Sequence, residues 1–407
     1  MRYGWQKSTI GTVCNVIAGQ SPKGIYYNSS SDGLPFYQGK KEFGDKYIGT
    51  PTKWTTHITR EAIAGDILMS VRAPVGPINF ATERICIGRG LAAIRSGENI
   101  NQEFLFYALW AMQKHIQGSE GAVFASINKK QIESLPFFYP SLTEQQRIVA
   151  ILDEAFAAID TATVNAERNW VNAQALFESE LNRTFEKTEN HWAESLLGDL
   201  ITVKHGFAFK SDWFSDTGDA VLLTPGNFYE TGGYRDRGKK QKYYVGDIPK
   251  DFVLAAGDLL VAMTEQAPGL LGSPMIVPES GQFLHNQRLG LVQAIQGVTW
   301  HTKFFFHLFN TKAYRDRNYI DASGVKVRHT SPKKIYNVSV RYPQSIDEQQ
   351  RIAQKLDNIK MATVQLAEIY QQKLTLLAEL KQSILHKAFT GELTADVRVV
   401  ERMMAAV

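Results

Sequence analysis

The sequence is poor in cysteine and has no long apolar segment. Its 407 residues include two cysteines, Cys14 and Cys86, which are too few for a disulfide framework and do not form a metal-ligand spacing. No apolar run approaches the roughly 18 to 20 residues that span a bilayer, and the N-terminal MRYGWQKSTIGTV lacks the apolar core of a signal peptide. We therefore expect a cytoplasmic protein in a reduced compartment.

A strong charge bias is also missing. The 45 basic and 41 acidic residues leave a net charge of +4, which is too mild for nonspecific binding of a polyanion through bulk electrostatics. Any nucleic-acid surface must therefore be local. The 44% hydrophobic and 21% charged residues are typical of a globular protein, and the length allows two or three domains.

Catalytic and cofactor motifs are absent from the sequence. It contains no Asn-Pro-Pro-Tyr-like motif of adenine methyltransferases, no P-loop and no dinucleotide fingerprint, since IGRGLAAI at Ile87 lacks the third glycine. His57, His205 and His329 show no ligand spacing. We predict a chain without catalytic residues and without a metal site.

Landmarks recur in the same order in the two halves of the chain. GTV at Gly11 and GDLITV at Gly198 open the halves, and AGDIL at Ala64 returns 192 residues later as AGDLL. A Lys-Lys pair, a Tyr-Pro pair and the letters EQQRI then follow in each half, with partners 203 or 204 residues apart. Several collinear landmarks predict an internal repeat in which a globular part and a helix occur twice.

Each EQQRI begins a segment with a helical pattern. Apolar or small residues recur at steps of mostly three or four from Ile148 to Leu181 and from Ile352 to Ile384, as in the seam of a coiled coil. A Ser-x-x-Glu capping box starts at Ser141 and at Ser345, and Gly391 suits a left-handed C-terminal cap. About 40 helical residues at ~1.5 Å each give a rod of roughly 60 Å, which suits a spacer.

The globular parts combine short apolar runs bounded by glycine and proline with an aromatic-rich run in each half, which we interpret as one helix. The predicted class is α+β, with two globular domains in a pseudo-twofold repeat, separated by two long antiparallel coiled-coil helices. The predicted ranges are 1–140 for the first domain, 141–188 for the first helix, 189–343 for the second domain, 344–391 for the second helix and 392–407 for a tail.

This arrangement resembles the specificity subunits of type I restriction-modification systems. The resemblance is carried by the two divergent globular parts, each with GDIL or GDLL inside, Tyr-Pro near its end, and EQQRI with a long helix after it, and it covers nearly the whole chain. It implies a noncatalytic chain in which each globular part is a target recognition domain for one half of a split DNA sequence. The helices would set the distance between the halves.

The resemblance also implies partners and cofactors. The chain would bind double-stranded DNA and two methyltransferase subunits, which transfer a methyl group from S-adenosylmethionine to adenine N6. Translocase-nuclease subunits, which need Mg and ATP, would join to cut unmodified DNA. All these cofactors are expected on the partner subunits and none in this chain.

A domain that reads DNA needs cations for phosphates and planar hydrogen-bonding groups for base edges. Arg72 is the leading candidate for a base contact, and the run YRDRGKKQK from Tyr234 is the leading basic cluster, although a solvated basic loop explains each residue as well. We interpret Arg89 and Arg288 as half-buried anchors at strand starts. The predicted DNA-binding residues are Lys23, Gln38, Lys40, Lys41, Arg72, Lys204, Lys210, Arg235, Arg237, Lys239, Lys240, Gln266, Lys326 and Arg328.

The two domains differ where they should read DNA. SVRAPVG in the first and TEQAPG in the second occupy the same place in the repeat, so that Gln266 stands opposite Arg72. Arginine favours guanine and glutamine favours adenine in the major groove. We therefore expect two different half-sites and an asymmetric target.

Residues of the long helices are expected to form the seam or to contact the methyltransferase subunits. Outward positions such as Arg147, Asp153, Glu154 and Arg351 suit a partner, but a solvated coiled-coil face explains them equally well. The predicted helix residues are Glu144, Arg147, Leu152, Phe156, Trp170, Glu348, Arg351 and Leu356.

Three other interpretations stay open on the sequence alone. One is the DNA-recognition subunit of a related bipartite system whose methylation and cleavage reside on one fused partner. Another is a coiled-coil scaffold whose globular parts bind protein or glycan and not DNA. The third is an enzyme with an unrecognised site, for which Asp66 and Asp258 offer little support because each follows glycine at a strand start.

Overall fold

The computed structural model describes residues 4–116, 126–187, 191–265, 268–278, 282–320, 322–324 and 327–394. The chain forms two compact units, Met1–Ala166 with Gln372–Val407, and Glu167–Gln371. Each unit holds one α+β domain and part of each of two long helices. The division between the units therefore falls inside the helices, and not at the predicted junctions of domain and helix.

The first domain is made of short strands that pair in the orders β2-β10-β7-β8, β3-β5-β4-β9-β6 and β1-β11. Its strands are β1 (Gln6–Thr9), β2 (Cys14–Ala18), β3 (Tyr27–Asn28), β4 (Leu34–Tyr37), β5 (Trp54–Thr55), β6 (Glu61–Ala62), β7 (Ile67–Ser70), β8 (Ile78–Phe80), β9 (Ile85–Ile87), β10 (Leu91–Ser96) and β11 (Pro136–Tyr139). Its helices are α1 (Ile10–Val13), α2 (Gln102–Ile116) and α3 (Lys129–Glu133), and the long helix α4 (Leu142–Glu186) follows.

The second domain repeats this plan, with strand orders β13-β22-β18-β20, β14-β16-β15-β21-β17 and β12-β24, and adds the pair β19-β23. Its strands are β12 (Ala193–Leu196), β13 (Ile201–His205), β14 (Phe214–Ser215), β15 (Ala220–Leu222), β16 (Tyr243–Tyr244), β17 (Val253–Leu254), β18 (Leu259–Ala262), β19 (Thr264–Glu265), β20 (Pro274–Ile276), β21 (Gln282–Leu284), β22 (Leu289–Ala294), β23 (Arg328–His329) and β24 (Ser339–Tyr342). Its helices are α5 (Thr302–Leu308), α6 (Lys312–Ile320) and α7 (Pro332–Tyr336), and the long helix α8 (Ile346–Thr390) follows.

The aromatic-rich run of the second domain is two helices, α5 and α6, and not the single helix predicted. The break lies at Thr311. Its hydroxyl donates to the carbonyl of Leu308 at 2.7 Å and accepts from the amide of Tyr314 at 3.3 Å. A side chain that bonds the backbone on both sides in this way ends one helix and caps the next.

The repeated Ala-Gly-Asp sequence forms the same turn in both domains. Gly65 and Gly257 have φ of +87° and +86°, a region that glycine enters at little cost. The carboxylate of Asp66 accepts from the amide of Ile63 at 2.9 Å, and that of Asp258 accepts from the amide of Ala255 at the same distance. The aspartates therefore hold the turns that start β7 and β18.

Within each unit the two long helices run antiparallel. In the first unit the start of α4 shares a core with the end of α8 through Leu152, Phe156 and Leu385. In the second unit the end of α4 shares a core with the start of α8 through Leu181 and Leu356. Both helices have 45 residues. The predicted α+β class, repeat and antiparallel long helices are confirmed.

Candidate nucleic-acid interface

The second residue of the repeated EQQRI fastens each long helix to its own domain. Gln145 is fully buried; its Nε2 donates to the carbonyls of Asn99 and Pro140 at 3.0 and 2.9 Å, and its Oε1 accepts from the amide of Asn101 at 2.8 Å. The equally buried Gln349 repeats all three bonds, to Thr299 at 3.1 Å, Pro343 at 2.8 Å and His301 at 2.8 Å. The repeated letters therefore encode a joint between domain and helix.

The acid of each EQQRI also binds within its own unit. The carboxylate of Glu348 accepts from Trp192 Nε1 at 3.0 Å and lies 2.9 Å from His191 Nε2, and that of Glu144 accepts from the hydroxyl of Thr394. At Ser345 the hydroxyl half of the predicted capping box is present, since its Oγ accepts from the amide of Glu348 at 3.4 Å. Glu348 is thus part of the joint between domain and helix, whereas Glu144 ties the start of α4 to the segment after α8.

A second contact fixes each long helix about two turns later. In the first unit Tyr107 donates to Asp153 at 2.5 Å, and Lys46 Nζ pairs with Asp153 at 3.4 Å and with Glu103 at 2.9 Å. Burial alone would lower the pKa of Lys46, but its bond to Glu103 and the nearby acids raise it above its usual range. Asp153 therefore contacts the domain, while 48% of its side chain stays exposed as expected for an outward position.

The same position in the second unit carries a histidine. His307 Nε2 and Lys303 Nζ each lie 2.8 Å from an oxygen of Asp357. Burial of Asp357 acts to raise its pKa, but these bonds outweigh that effect and hold it at about 2. Burial lowers the pKa of His307, against the pull of Asp357, so this contact can respond to pH where the tyrosine of the first unit does not.

The remaining predicted helix residues divide between core and surface. Leu152, Phe156 and Leu356 are buried in the two cores. Trp170 and Arg147 are half-buried, and Arg351 is exposed.

Two strand ends, a turn and the segment before α3 meet at one edge of the first domain. The amide of Gly90 donates to the carbonyl of Gln38 at 3.1 Å, the amide of Val71 to the carbonyl of Gly90 at 3.0 Å, and the amide of Ile127 to the carbonyl of Val71 at 3.0 Å. These bonds place the ends of β4 and β7, the turn between β9 and β10, and the segment before α3 side by side.

A cleft of about 240 Å³ opens at this edge. Its lining includes Arg72, Arg89 and Lys129 and contains no aspartate or glutamate among the residues that the structure describes. Arg72 and Arg89 are exposed, and Lys129 pairs with Glu133 at 3.5 Å. A cleft with cations and without acids suits the phosphates or the guanine edges of DNA.

Arg89 was missed by the sequence analysis, and its interpretation as a half-buried anchor was wrong. It lies in the turn between β9 and β10 with its side chain exposed. The sequence signal that could have identified this turn is the glycine on each side of Arg89, Gly88 and Gly90. A Cβ on Gly90 would stand 2.3 Å from the carbonyl oxygen of Gln38, so glycine is needed to seat this turn against β4. Arg288, at the matching turn of the second domain, is exposed as well.

The other residues predicted in the first domain lie at the surface near the same strands. Gln38, Lys40 and Lys41 are exposed just after β4, and the two lysines form a 3-10 turn. Lys23 is exposed and begins the 3-10 turn before β3.

The second domain departs from the prediction at the position of Arg72. Gln266 and Lys326 lie outside the described residues. Arg72 pairs with Ser126 in an isolated antiparallel bridge, and Thr264 pairs with His329 in the antiparallel strand pair β19-β23. Thr264 therefore occupies the place of Arg72 in the strand pairing, and the prediction for Gln266 stays a prediction.

Glu265 organises the loop that follows. It is 3% exposed, and its Oε2 accepts from the amides of Gly269, Leu270 and Leu271 at 2.9 to 3.0 Å. This acid therefore shapes the loop and is not presented to a ligand at the surface. Arg328 lies with its guanidinium 4.0 Å from the ring centre of Tyr319.

The residues of the basic run in the second domain differ in exposure and in local contacts. Arg235, Lys239 and Lys240 are exposed. The Arg237 guanidinium lies beside Gly226, where a Cβ would come within 3.2 Å of it. Asp236 accepts from the amide of Gly238 at 2.8 Å and thereby holds the turn.

Two other lysines of the second domain differ in availability. Lys204 Nζ donates to the carbonyl of Asp251 at 2.8 Å and lies over the ring of Phe252 at 4.9 Å. Lys210 is exposed and begins the 3-10 turn before β14. Lys204 thus has a local role, whereas Lys210 can reach a ligand.

Two searches of the described part of the chain set limits on its chemistry. No helix there is long and apolar enough to cross a membrane. Nor do three or more histidine, cysteine, aspartate or glutamate residues come together there as ligands for a metal ion.

A family model described as the type I restriction modification DNA specificity domain matches residues 3–168 and 189–376. The chain belongs to this family. The two matches begin near β1 and β12 and run into α4 and α8, so each covers one repeat of the fold.

Individual relatives agree with this assignment. The MjaX specificity subunit assigned to a type I restriction enzyme of Methanocaldococcus jannaschii is 44% identical over 135 residues, which are 33% of this chain and 32% of that one. The regions matched in the curated relatives span 32% to 52% of their length.

Two solved structures share the fold. A chain from a study of complex assembly and conformational transition of the type I R-M system has a TM-score of 0.73 and covers 96% of this chain and 99% of that one. The HsdS subunit from Thermoanaerobacter tengcongensis has a TM-score of 0.67, with 97% and 98% covered. Both are 18% identical to this chain, so they support the fold alone.

Proposed function

We propose that this protein is the DNA specificity subunit of a type I restriction-modification system and recognises a bipartite, asymmetric target, one half-site with each domain. The observation that carries this proposal is that the two domains have the same fold but different surfaces. The domains repeat the same strand orders, yet Arg72 of the first is replaced by Thr264 in the second. Two domains that share one fold but differ in the residues that would contact DNA suit two different half-sites.

The partners follow from the same proposal. Two methyltransferase subunits dock on this chain and methylate adenine N6 with S-adenosylmethionine, and translocase-nuclease subunits with Mg and ATP cleave unmodified DNA. The chain itself contributes recognition and no catalytic group. The cytosolic location and the contact of Arg351 with a partner stay predictions.

Co-expression with the neighbouring methyltransferase subunit in a methylation-free host tests the proposal. We expect single-molecule sequencing to find a split, asymmetric motif of modified adenines that disappears when this chain is omitted. A palindromic motif would contradict the asymmetry.

No new methylation from a soluble complex with an active methyltransferase would contradict the whole proposal and favour a scaffold. Binding of the complex to DNA at increasing salt gives a second readout, because phosphate contacts weaken as salt rises and a scaffold shows no such binding. The gene neighbourhood separates the related system, in which methylation and cleavage reside on one fused partner.

A further inference from the structure

The two domains can be compared residue by residue through matching backbone bonds. The amide of Leu91 donates to the carbonyl of Gly88 at 2.9 Å, and the amide of Leu289 donates to the carbonyl of Asn286 at 2.9 Å. Between these bonds, Arg89 takes the same place as Gln287.

Independent contacts support this equivalence. A Cβ on Gly19 would stand 2.2 Å from the carbonyl oxygen of Gly88, and a Cβ on Gly206 would stand 2.2 Å from that of Asn286. The amides of Val71 and Met263 donate to the residues just after Arg89 and Gln287, each at 3.0 Å. The turn is therefore built alike in both domains, while the side chain at this position changes from arginine to glutamine.

Exposed cations of the two domains fall into two classes by this comparison. Lys23 and Lys210 are kept, because each is exposed and starts the 3-10 turn before an edge strand. Arg72 and Arg89 are replaced, by Thr264 and Gln287. Every half-site presents phosphates, so a phosphate contact can be the same in both domains, whereas a base contact must follow the sequence that is read.

We propose, on the basis of the function proposed above, that Arg89 and Gln287 are specificity-determining residues: Arg89, with Arg72 beside it, reads guanine in the first half-site, and Gln287 reads adenine in the second. Lys23 and Lys210 contact phosphate in both. The arginine fork matches O6 and N7 of guanine, and the glutamine amide matches N6 and N7 of adenine.

The local structure suits a reading residue. Both Arg89 and Gln287 are exposed in turns whose backbone is held: the amide of Arg89 donates to Ser21 Oγ at 3.2 Å, and that of Gln287 donates to the carbonyl of Phe207 at 3.0 Å. A fixed backbone places the side chain reproducibly against a base edge. The acid-free lining of the first cleft leaves Arg72 and Arg89 without a competing carboxylate there.

The test uses the full chain in complex with its methyltransferase subunits and compares methylated motifs. For Arg89→Ala we expect the preference for guanine at one position of the first half-site to fall by about tenfold to a hundredfold, with the second half-site and the gap unchanged. For Gln287→Ala we expect loss of preference at one adenine of the second half-site only. For Lys23→Ala we expect weaker methylation of all sites, an unchanged motif and a smaller dependence of binding on salt.

Arg84→Ala is the matched control. Arg84 is exposed in the same domain, but it pairs with Glu61 at 2.8 Å and does not line the cleft, so we expect both the motif and the level of methylation to be unchanged. Assembly with the methyltransferase and the unfolding midpoint are checked for each variant, and Arg89→Lys, which keeps the charge but loses the fork, replaces Arg89→Ala if that variant does not assemble.

The outcomes separate the inference from the proposed function. A wild-type complex without a DNA motif contradicts the proposed function itself. A wild-type motif that keeps every base preference in Arg89→Ala or Arg89→Lys, with only a uniform loss of methylation, shows a phosphate contact and overturns the inference alone. A wild-type first half-site without guanine, or a second without adenine, overturns it as well.

Discussion

Replacing Gln145 by alanine tests whether the buried glutamine of EQQRI holds the first long helix to its domain. The side chain is fully buried and makes three hydrogen bonds of 2.8 to 3.0 Å to backbone groups. Alanine leaves one amide and two carbonyls without this partner. Each such buried group costs about 1 to 3 kcal/mol, and entry of water into the vacated space favours the lower values. We expect the free energy of unfolding of the first unit to fall by roughly 3 to 5 kcal/mol.

The chain supplies its own control in the adjacent glutamine. Gln146 is exposed, so Gln146→Ala removes the same side chain from the same helical turn, and we expect a change within about 0.5 kcal/mol. Gln145→Met distinguishes the loss of the hydrogen bonds from the loss of packing, because methionine fills the space but forms none of the bonds. If the bonds dominate, Gln145→Met should be nearly as destabilising as Gln145→Ala.

Urea unfolding followed by hydrogen exchange provides the assay. The exchange of the Asn101 amide, which loses its acceptor, reports on the joint directly. Thermal melting should show a midpoint lowered by roughly 6 to 20 °C for the first unit, while the transition of the second unit stays in place. Gln349→Ala and the exposed Gln350→Ala repeat the comparison in the second unit.

A Gln145→Ala variant within about 1 kcal/mol of Gln146→Ala would refute the reasoning. It would mean that the freed backbone groups find water at little cost, so that the glutamine is not needed for the joint.

Three further outcomes follow from the structure. Lowering the pH from 7 to 5 should destabilise the second unit, because burial lowers the pKa values of His285, His301 and His307 in the folded unit while the unfolded chain takes up protons below about pH 6.5; each histidine adds a slope of at most about 1.4 kcal/mol per pH unit, and His307→Gln should remove its own share. Asp357, with a pKa of about 2, contributes to acid lability only below about pH 4, so a slope between pH 7 and 5 that is as steep in His307→Gln as in the unchanged protein would contradict this assignment. Gly90→Ala should displace the turn that contains Arg89, since the new Cβ would stand 2.3 Å from a carbonyl oxygen. We expect impaired recognition of the first half-site only, measured by the methylation motif. Glu265→Gln should lower the unfolding free energy of the second unit by about 1.5 to 3 kcal/mol, because charge-assisted bonds to three amides are weakened; an unchanged denaturation midpoint would show that the carboxylate does not hold the loop.

The predicted base reader, Arg72, lies in the observed cleft, whereas its neighbour Arg89 was taken for an anchor. The error has a physical cause. Arg89 precedes an apolar strand in the sequence, and a strand start can face either the core or the solvent. Which side Arg89 faces depends on the close approach of Gly90 to Gln38. These two residues are 52 positions apart in the sequence.

The strand pairing also gives Arg72 another counterpart, Thr264, than the one that the sequence suggests. The sequence aligns SVRAPVG with TEQAPG by their shared Ala-Pro, but the strands align Arg72 with Thr264 through their bridges to Ser126 and His329. The second loop is two residues longer before its proline, and only strand pairing shows where the extra residues lie.

The duplication and the two long helices with their seam can be predicted from the amino-acid sequence alone, because capping residues and a three-to-four periodicity act over a few turns of chain. It also contained both glutamines of each EQQRI. The folded structure was needed to show that Gln145 is buried and Gln146 exposed, and that Arg72, Arg89 and Lys129 line one cleft. These features depend on contacts between backbone groups and loops that are tens of residues apart in the sequence. Local sequence patterns carry no information about such contacts.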